Sequence, residues 1–263
     1  MRSLNLVKNI QPPVKEKAEP KTKKKIDIPA DTPLAESLLD ALNESIGNDI
    51  EGRFKKRKGF VPSETNQCIR YLTYMLEGIF VPATHDSRTQ RIFDNGNGFH
   101  ERIAGYFEKM GILECTEFEV NSPISVPVSV YGFGDAIINW NGRKVVEFKS
   151  INDYGYINVK RMRKPKDDHF RQIQLYLACL DMDSGFVIYE NKNDQNILVF
   201  EIQRDDAFLA KLYKKYVKVT ETYEAGILPD RPYVKSSKSC LYCNVKDFCW
   251  SEEGNITLST KKD

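Results

Sequence analysis

The sequence predicts one mixed α/β domain. Three observations point to it. Helical patterns open the folded part, a central series of short extended segments is punctuated by turn signals, and further helical patterns alternate with the last two extended segments. Of the 263 residues 41% are hydrophobic, with 14 Phe and 13 Tyr, enough for a sizeable core and too apolar for wholesale disorder. No apolar run approaches the ~20 residues that span a bilayer. The N-terminus lacks the order of a secretory signal. An intracellular, cytoplasmic protein with no membrane partner is therefore expected, and there thiols stay reduced. The formal net charge is only +2, so any basic surface must come from how the charges are distributed.

Residues 1–30 read as a leader: Lys8, Lys15, Lys17, Lys21 and Lys23 to Lys25 are interleaved with Pro12, Pro13 and Pro20, with little to bury. It is either a solvated, disordered tail or a basic arm. Residues 31–59 form a helical entry and linker. Thr32 caps a helix with Pro33 at its first position and Leu38, Leu39 and Leu42 along it, before a basic loop at residues 53–58. The domain proper spans residues 60–255, with 256–263 as a tail.

Within the domain Ser63 is expected to cap a helix carrying Cys68, Arg70, Tyr71 and Tyr74. A helix over residues 97–110 follows the flexible Asn95-Gly96-Asn97-Gly98, and its stripe holds His100, Ile103, Phe107 and Met110. Residues 118–120 and 125–130 look extended. Residues 132–140 and 143–150 flank Asn141-Gly142, a strong hairpin signal. A basic stretch with Lys160, Arg161, Arg163, Lys164 and Lys166 precedes a helix over residues 169–180, delayed by Pro165. Strands at 185–190 and 197–203 and a helix at 205–225, stopped by Gly226, complete the domain before an irregular segment with three cysteines.

Chemistry concentrates in the hairpin. Strand side chains alternate, so Glu147 and Lys149 share one face while Val146 and Phe148 anchor the other. An acid and a base two residues apart can simply neutralise each other. Register distinguishes the readings. A two-residue loop would pair Asp135 with Phe148 and face it away from Glu147. A three-residue loop of Trp140, Asn141 and Gly142 pairs residue 139 with 143 and sets Asp135 opposite Glu147, and this longer turn is predicted. Two carboxylates suit a hard divalent cation such as Mg²⁺ or Mn²⁺, and a nearby ammonium suits a phosphate that gathers charge.

Asp followed across a hairpin by Glu-Phe-Lys resembles the signature of PD-(D/E)XK nucleases. Further residues resemble the RecB-like group of that superfamily. His100 stands on a helix ahead of the Asp strand, where the group carries a metal-binding His. His169-Phe170-Arg171-Gln172-Ile173-Gln174-Leu175-Tyr176 fits its H-x-x-Q-x-x-x-Y pattern, with His169, Gln172 and Tyr176 on one helix face. Cys240, Cys243 and Cys249, with Cys68 far upstream, resemble the ligands of its iron–sulfur subgroup, which includes the CRISPR-associated exonucleases and AddB-type nuclease domains.

The resemblance covers about residues 60–250 and implies a restriction-endonuclease-like core: a central mixed sheet flanked by helices, with a helical N-terminal segment and a Cys-rich C-terminal segment closing on a cluster. It implies a metal-dependent DNA exonuclease with Asp135, Glu147, Lys149, Gln172 and Tyr176 at the reaction centre. His100, Asp135 and Glu147 would hold Mg²⁺ or Mn²⁺, and Cys68, Cys240, Cys243 and Cys249 a 4Fe-4S cluster. Zinc is the alternative occupant, because four thiolates suit either. Cys115 and Cys179 read as buried thiols.

Lys160, Arg161, Arg163, Lys164, Lys166 and His169 are placed for DNA phosphates. Arg70, Tyr71 and Tyr74 either add charge and stacking for DNA or pack their helix on the core. The roles open to such a chain are recombination, repair, phage replication or CRISPR adaptation, alone or in a complex. A DNA-binding module that keeps the fold without catalysis, a complex subunit and an endonuclease are the competing readings.

Overall fold

The computed structural model describes residues 33–46, 59–79, 86–123 and 125–259. The Lys-rich leader, Thr32, the basic loop at 53–58 and His85 lie outside the described residues. The chain divides into two compact units, Met1–Leu42 and Asn43–Asp263. Helix α1 (Pro33–Ser45) opens on the proline expected there, and Leu34, Leu38 and Leu39 on it are exposed.

The second unit is built on a five-stranded mixed sheet of β1 (Leu113–Asn121), β2 (Tyr131–Asn139), β3 (Arg143–Ile151), β4 (Ser184–Asn191) and β5 (Ile197–Gln203), lying side by side in that order. Neighbours are antiparallel except β3 and β4, which are parallel. A parallel pair needs a crossover, and here α4 (Asp153–Met162) and α5 (Asp167–Cys179) supply it. The remaining helices are α2 (Ile69–Glu77), α3 (Ser87–Lys109), α6 (Asp206–Glu224) and the short α7 (Lys238–Leu241) and α8 (Lys246–Trp250).

Strand alternation splits the core into two layers. On one face Ala136, Ile138, Val146 and Phe148 bury against Phe99 and Ile103 of α3. On the other, Ile137, Val145 and Val187 bury against Tyr156 and Val159 of α4 and Ile173 and Leu177 of α5. Each such side chain contributes roughly 1.5–3 kcal/mol when fully buried, so β2 and β3 are held from both sides. A third cluster joins α2 to α6, where the Phe60 and Tyr216 rings stack at 4.0 Å.

Several elements differ from the sequence reading. Helix α3 begins ten residues before Asn97, because the Asp86 carboxylate caps it by accepting from Thr89 N–H at 2.7 Å. Gly96 and Gly98 lie inside this helix at positions where an added Cβ would meet nothing. Its buried stripe is Phe99 and Ile103, and Met110 is exposed. The cap of α2 is Cys68, whose thiol accepts from Tyr71 N–H, while Ser63 sits in a 3-10 turn. Residues 125–130 are irregular, yet Val126 and Val128 are buried. Their alternation serves packing on the α2–α6 cluster instead of a strand. Helix α4, read as part of a basic stretch, is capped by Asn152, which accepts from Gly155 N–H at 2.8 Å. Among the described residues no helix is long and apolar enough to cross a membrane.

Candidate active site

The β2–β3 turn decides the site. Asn139 pairs with Arg143, leaving the three-residue loop Trp140, Asn141 and Gly142. Asn141 (φ 48°) and Gly142 (φ 94°) take the left-handed conformation, which suits Asn and Gly. Regular pairing runs back to Ala136 opposite Val146. One step further Asp135 stands at the level of Glu147, where its carboxylate takes the place of a backbone acceptor and receives Phe148 N–H at 2.6 Å. The longer turn predicted from the sequence is the one present.

Glu147 is wholly buried, and its carboxylate makes an ion pair with the Lys149 ammonium. Beyond that ion pair neither carboxylate oxygen has a hydrogen-bond partner among the described residues. Burial first, then the negative charge of Asp135, pushes the Glu147 carboxyl up to about 8 against the pull of Lys149. Burial also works against the Lys149 charge, but Glu147 and Asp135 outweigh it and hold the ammonium above its usual pKa. His100 reaches Asp135 from α3, Nδ1 to Oδ1 at 3.7 Å, with its ring edge-on to Phe148. Asp135, Glu147, Lys149 and His100 are thus brought together. Among the described residues no three His, Cys, Asp or Glu side chains converge on a single ion position.

Helix α5 closes the other side. Gln172 donates to the Tyr176 hydroxyl at 2.9 Å, and Tyr176 donates to the Phe133 carbonyl of β2 at 2.9 Å. Burial, then Glu147, keeps the Tyr176 phenol strongly raised, so it acts as a neutral hydrogen-bond donor. Gly134 matters here because a Cβ would strike the Phe118 ring at 2.1 Å, and that ring packs edge-on to Tyr176. Gln172 and Tyr176 therefore meet the sheet at β2, and His169 on the same helix face meets β4. Sequence reasoning missed Tyr189 of β4. It pairs in register with Lys149 and meets His169 Nδ1 at 2.6 Å. Nothing local in the sequence signals a contact that depends on a parallel crossover.

Lys160, Arg161, Arg163, Lys164 and Lys166 are all exposed, at the end of α4 and in its connection to α5. Arg70 is different, and the expected phosphate contact is corrected. It is buried, donating to Tyr74 Oη (2.7 Å), to the carbonyls of Pro229 (2.7 Å) and Gly254 (2.6 Å), and to Asn255 Oδ1 (3.0 Å). Tyr71 and Tyr74 are buried with it, so they pack the helix and do not stack on a base. Arg231, also missed, donates to the Cys249 carbonyl from Nε (2.9 Å) and from Nη2 (2.6 Å). These arginines fasten the C-terminal segment, whose Val245 and Phe248 also pack on the α2–α6 cluster.

All six cysteines are free thiols. Cys68, Cys240, Cys243 and Cys249 line one cavity of ≈ 650 Å³ that extends to Lys166 and Asp168 at the start of α5. Burial raises the pKa of Cys68 and of Cys243, and the other thiols of the set add to it. Cys115 and Cys179 lie outside that cavity and pack against the hydrophobic core, and burial alone pushes Cys179 up to about 12.

No family model and no curated protein sequence matches the chain. Solved structures do. LHK-Exo in complex with dAMP superposes with a TM-score of 0.50 at 19% identity, covering 64% of this chain and 88% of that one. LHK-Exo is described as an alkaline exonuclease from Laribacter hongkongensis. The structure of SSO0001 gives a TM-score of 0.50 at 21% identity, covering 81% of this chain and 96% of that one. At these identities the likeness is one of fold alone.

Proposed function

We propose that the protein is a metal-dependent DNA exonuclease of the PD-(D/E)XK superfamily. The observation that carries this reading is the turn-set register that brings Asp135 beside Glu147 and Lys149, with Glu147 wholly buried and paired with the Lys149 ammonium. A buried carboxylate is costly unless cations offset its charge, and here one ammonium faces two carboxylates, so the residues fit Mg²⁺ or Mn²⁺. Asp135 and Glu147 would supply oxygen ligands, with His100 at their edge. Mg²⁺ commonly takes one or two protein carboxylates with water and substrate completing its shell. When bound, such a cation polarises a phosphate and lowers the pKa of water.

The chain's own groups do the rest. Lys149 presents an ammonium to the charge that builds on phosphate or orients the attacking water. Gln172 and Tyr176 hold β2 in place beside that centre. The exposed Lys160, Arg161, Arg163, Lys164 and Lys166 offer a path for phosphates leading to His169. The shared fold with LHK-Exo, an exonuclease by its description, supports cleavage from a free end. End-labelled linear and closed circular DNA, each incubated with Mg²⁺ or Mn²⁺, test this. Degradation of linear DNA alone is expected, with polarity read from the label. Cutting of the circle would make the protein an endonuclease, and binding of both without cutting a non-catalytic module.

For Cys68, Cys240, Cys243 and Cys249 the proposed ligand is a 4Fe-4S cluster. They line one cavity, and the likeness of their spacing to the iron–sulfur subgroup supports the cluster, since four thiolates alone suit either a cubane or zinc. Anaerobically purified protein is expected to be brown and to contain iron, and Cys240→Ala to bleach it while Asp135 and Glu147 stay in place. Colourless wild-type protein with stoichiometric zinc would overturn the cluster assignment.

A further inference from the structure

Tyr189 is fully buried in β4, beside Lys149 in the register. Its hydroxyl accepts from Lys166 N–H at 3.0 Å and lies 2.6 Å from His169 Nδ1, with the two rings in contact. A phenol has one proton to donate, and a neutral imidazole has one donor and one acceptor nitrogen. If Nδ1 carried the imidazole proton, the Tyr189 proton would find no acceptor among the described residues and would stay buried and unpaired. With Nδ1 bare, Tyr189 donates to His169, accepts from Lys166, and every polar group is satisfied.

The ring is also neutral at physiological pH. Burial chiefly, with Lys149 and Lys166 adding to it, brings His169 down to about 4 against the opposing charge of Asp168. Its other nitrogen, Nε2, lies 3.8 Å from Asp168 Oδ1, beyond hydrogen-bond reach, so its proton is available.

We propose that Tyr189 is a positioning residue that locks His169 in the Nε2–H tautomer and thereby gives the site a fixed, uncharged hydrogen-bond donor for a substrate phosphate near Lys149. The phosphate clause rests on the nuclease reading, whereas the tautomer does not. The chemical point is that a freely exchanging ring would present a lone pair part of the time and repel a phosphate oxygen. A ring pinned by Tyr189 always presents N–H, without adding a second positive charge beside Lys149.

Long-range ¹H–¹⁵N correlation of the imidazole rings in the full chain at neutral pH tests this, with His169→Gln assigning the signals. His169 is expected to show a bare Nδ1 and a protonated Nε2. Tyr189→Phe is expected to shift the ring towards averaged tautomers and, at even populations, to lower kcat on DNA about twofold with little change in KM. A wild-type Nδ1–H tautomer, a charged His169 at neutral pH, or a Tyr189→Phe spectrum with the tautomer unchanged would each overturn the proposal. The wild-type spectrum can overturn the proposal even if the variant does not fold. An inactive protein with the expected spectrum would count against the nuclease reading alone.

Discussion

Glu147→Gln is expected to abolish DNA cleavage, by a factor of at least ~10²–10³, while raising the melting temperature of the metal-free protein. The substitution keeps the size of the side chain and removes a wholly buried negative charge that stands beside Asp135 and is offset by the Lys149 ammonium. Burial and Asp135 lift the folded-state pKa of Glu147 from its ordinary 4.5 to about 8. A raised folded pKa means that the carboxyl group supports the fold fully below about 4.5 and that this support is lost as pH rises to about 8. The stability gain of the Gln variant should therefore be small in acid, grow across that window and level off above it. Each kcal/mol regained corresponds to roughly 2–4 °C for a chain of this size. Melting curves at pH 5, 7 and 9, with cleavage assays beside them, separate the two readings of the Glu147–Lys149 pair. If the pair merely neutralises itself, Glu147→Gln will lower the melting temperature and leave cleavage intact.

How much of this was legible in the sequence depends on whether the deciding interaction is local. The Trp140–Gly142 turn was, because Asn and Gly are the residues that tolerate the left-handed conformation, and that turn sets the Asp135–Glu147 register. The His169–Gln172–Tyr176 face was, because helical spacing alone puts those side chains together. Helix α4 was not. Its inward face is only Gly155, Tyr156 and Val159, too thin a stripe to stand out among Lys160, Arg161 and their neighbours. The early start of α3 was hidden because Asn95–Gly98 carries a turn composition, and an exposed helix anchored by Phe99 and Ile103 tolerates it at about 1 kcal/mol per glycine. Tyr189 and Arg231 escaped because their partners lie across a crossover or a distant segment. The same blindness made Arg70 look like a phosphate ligand.

Arg70→Ala is expected to destabilise the protein by on the order of 3 kcal/mol, since it strips buried carbonyls of a charged donor. The guanidinium joins α2 to Pro229, Gly254 and Asn255, which are 159 or more residues away in the chain. At roughly 2–4 °C per kcal/mol, the melting temperature should fall by about 6–12 °C. Hydrogen exchange should quicken first around residues 229–255, where Arg231 alone would then hold the Cys249 carbonyl and Asn255. Arg70→Lys should rescue little, because an ammonium cannot reproduce the planar fork that serves separate acceptors at once. A phosphate ligand would behave otherwise. Its loss would leave the melting temperature unchanged, weaken DNA binding uniformly and reduce the salt dependence of binding by about one counterion. The geometry favours the first outcome. A side chain that is 4% exposed with acceptors at Nε, Nη1 and Nη2 has no free approach to a nucleic-acid backbone. Any effect of Arg70→Ala on cleavage should then follow the loosening of the Cys-rich segment that lines the cavity with Cys68.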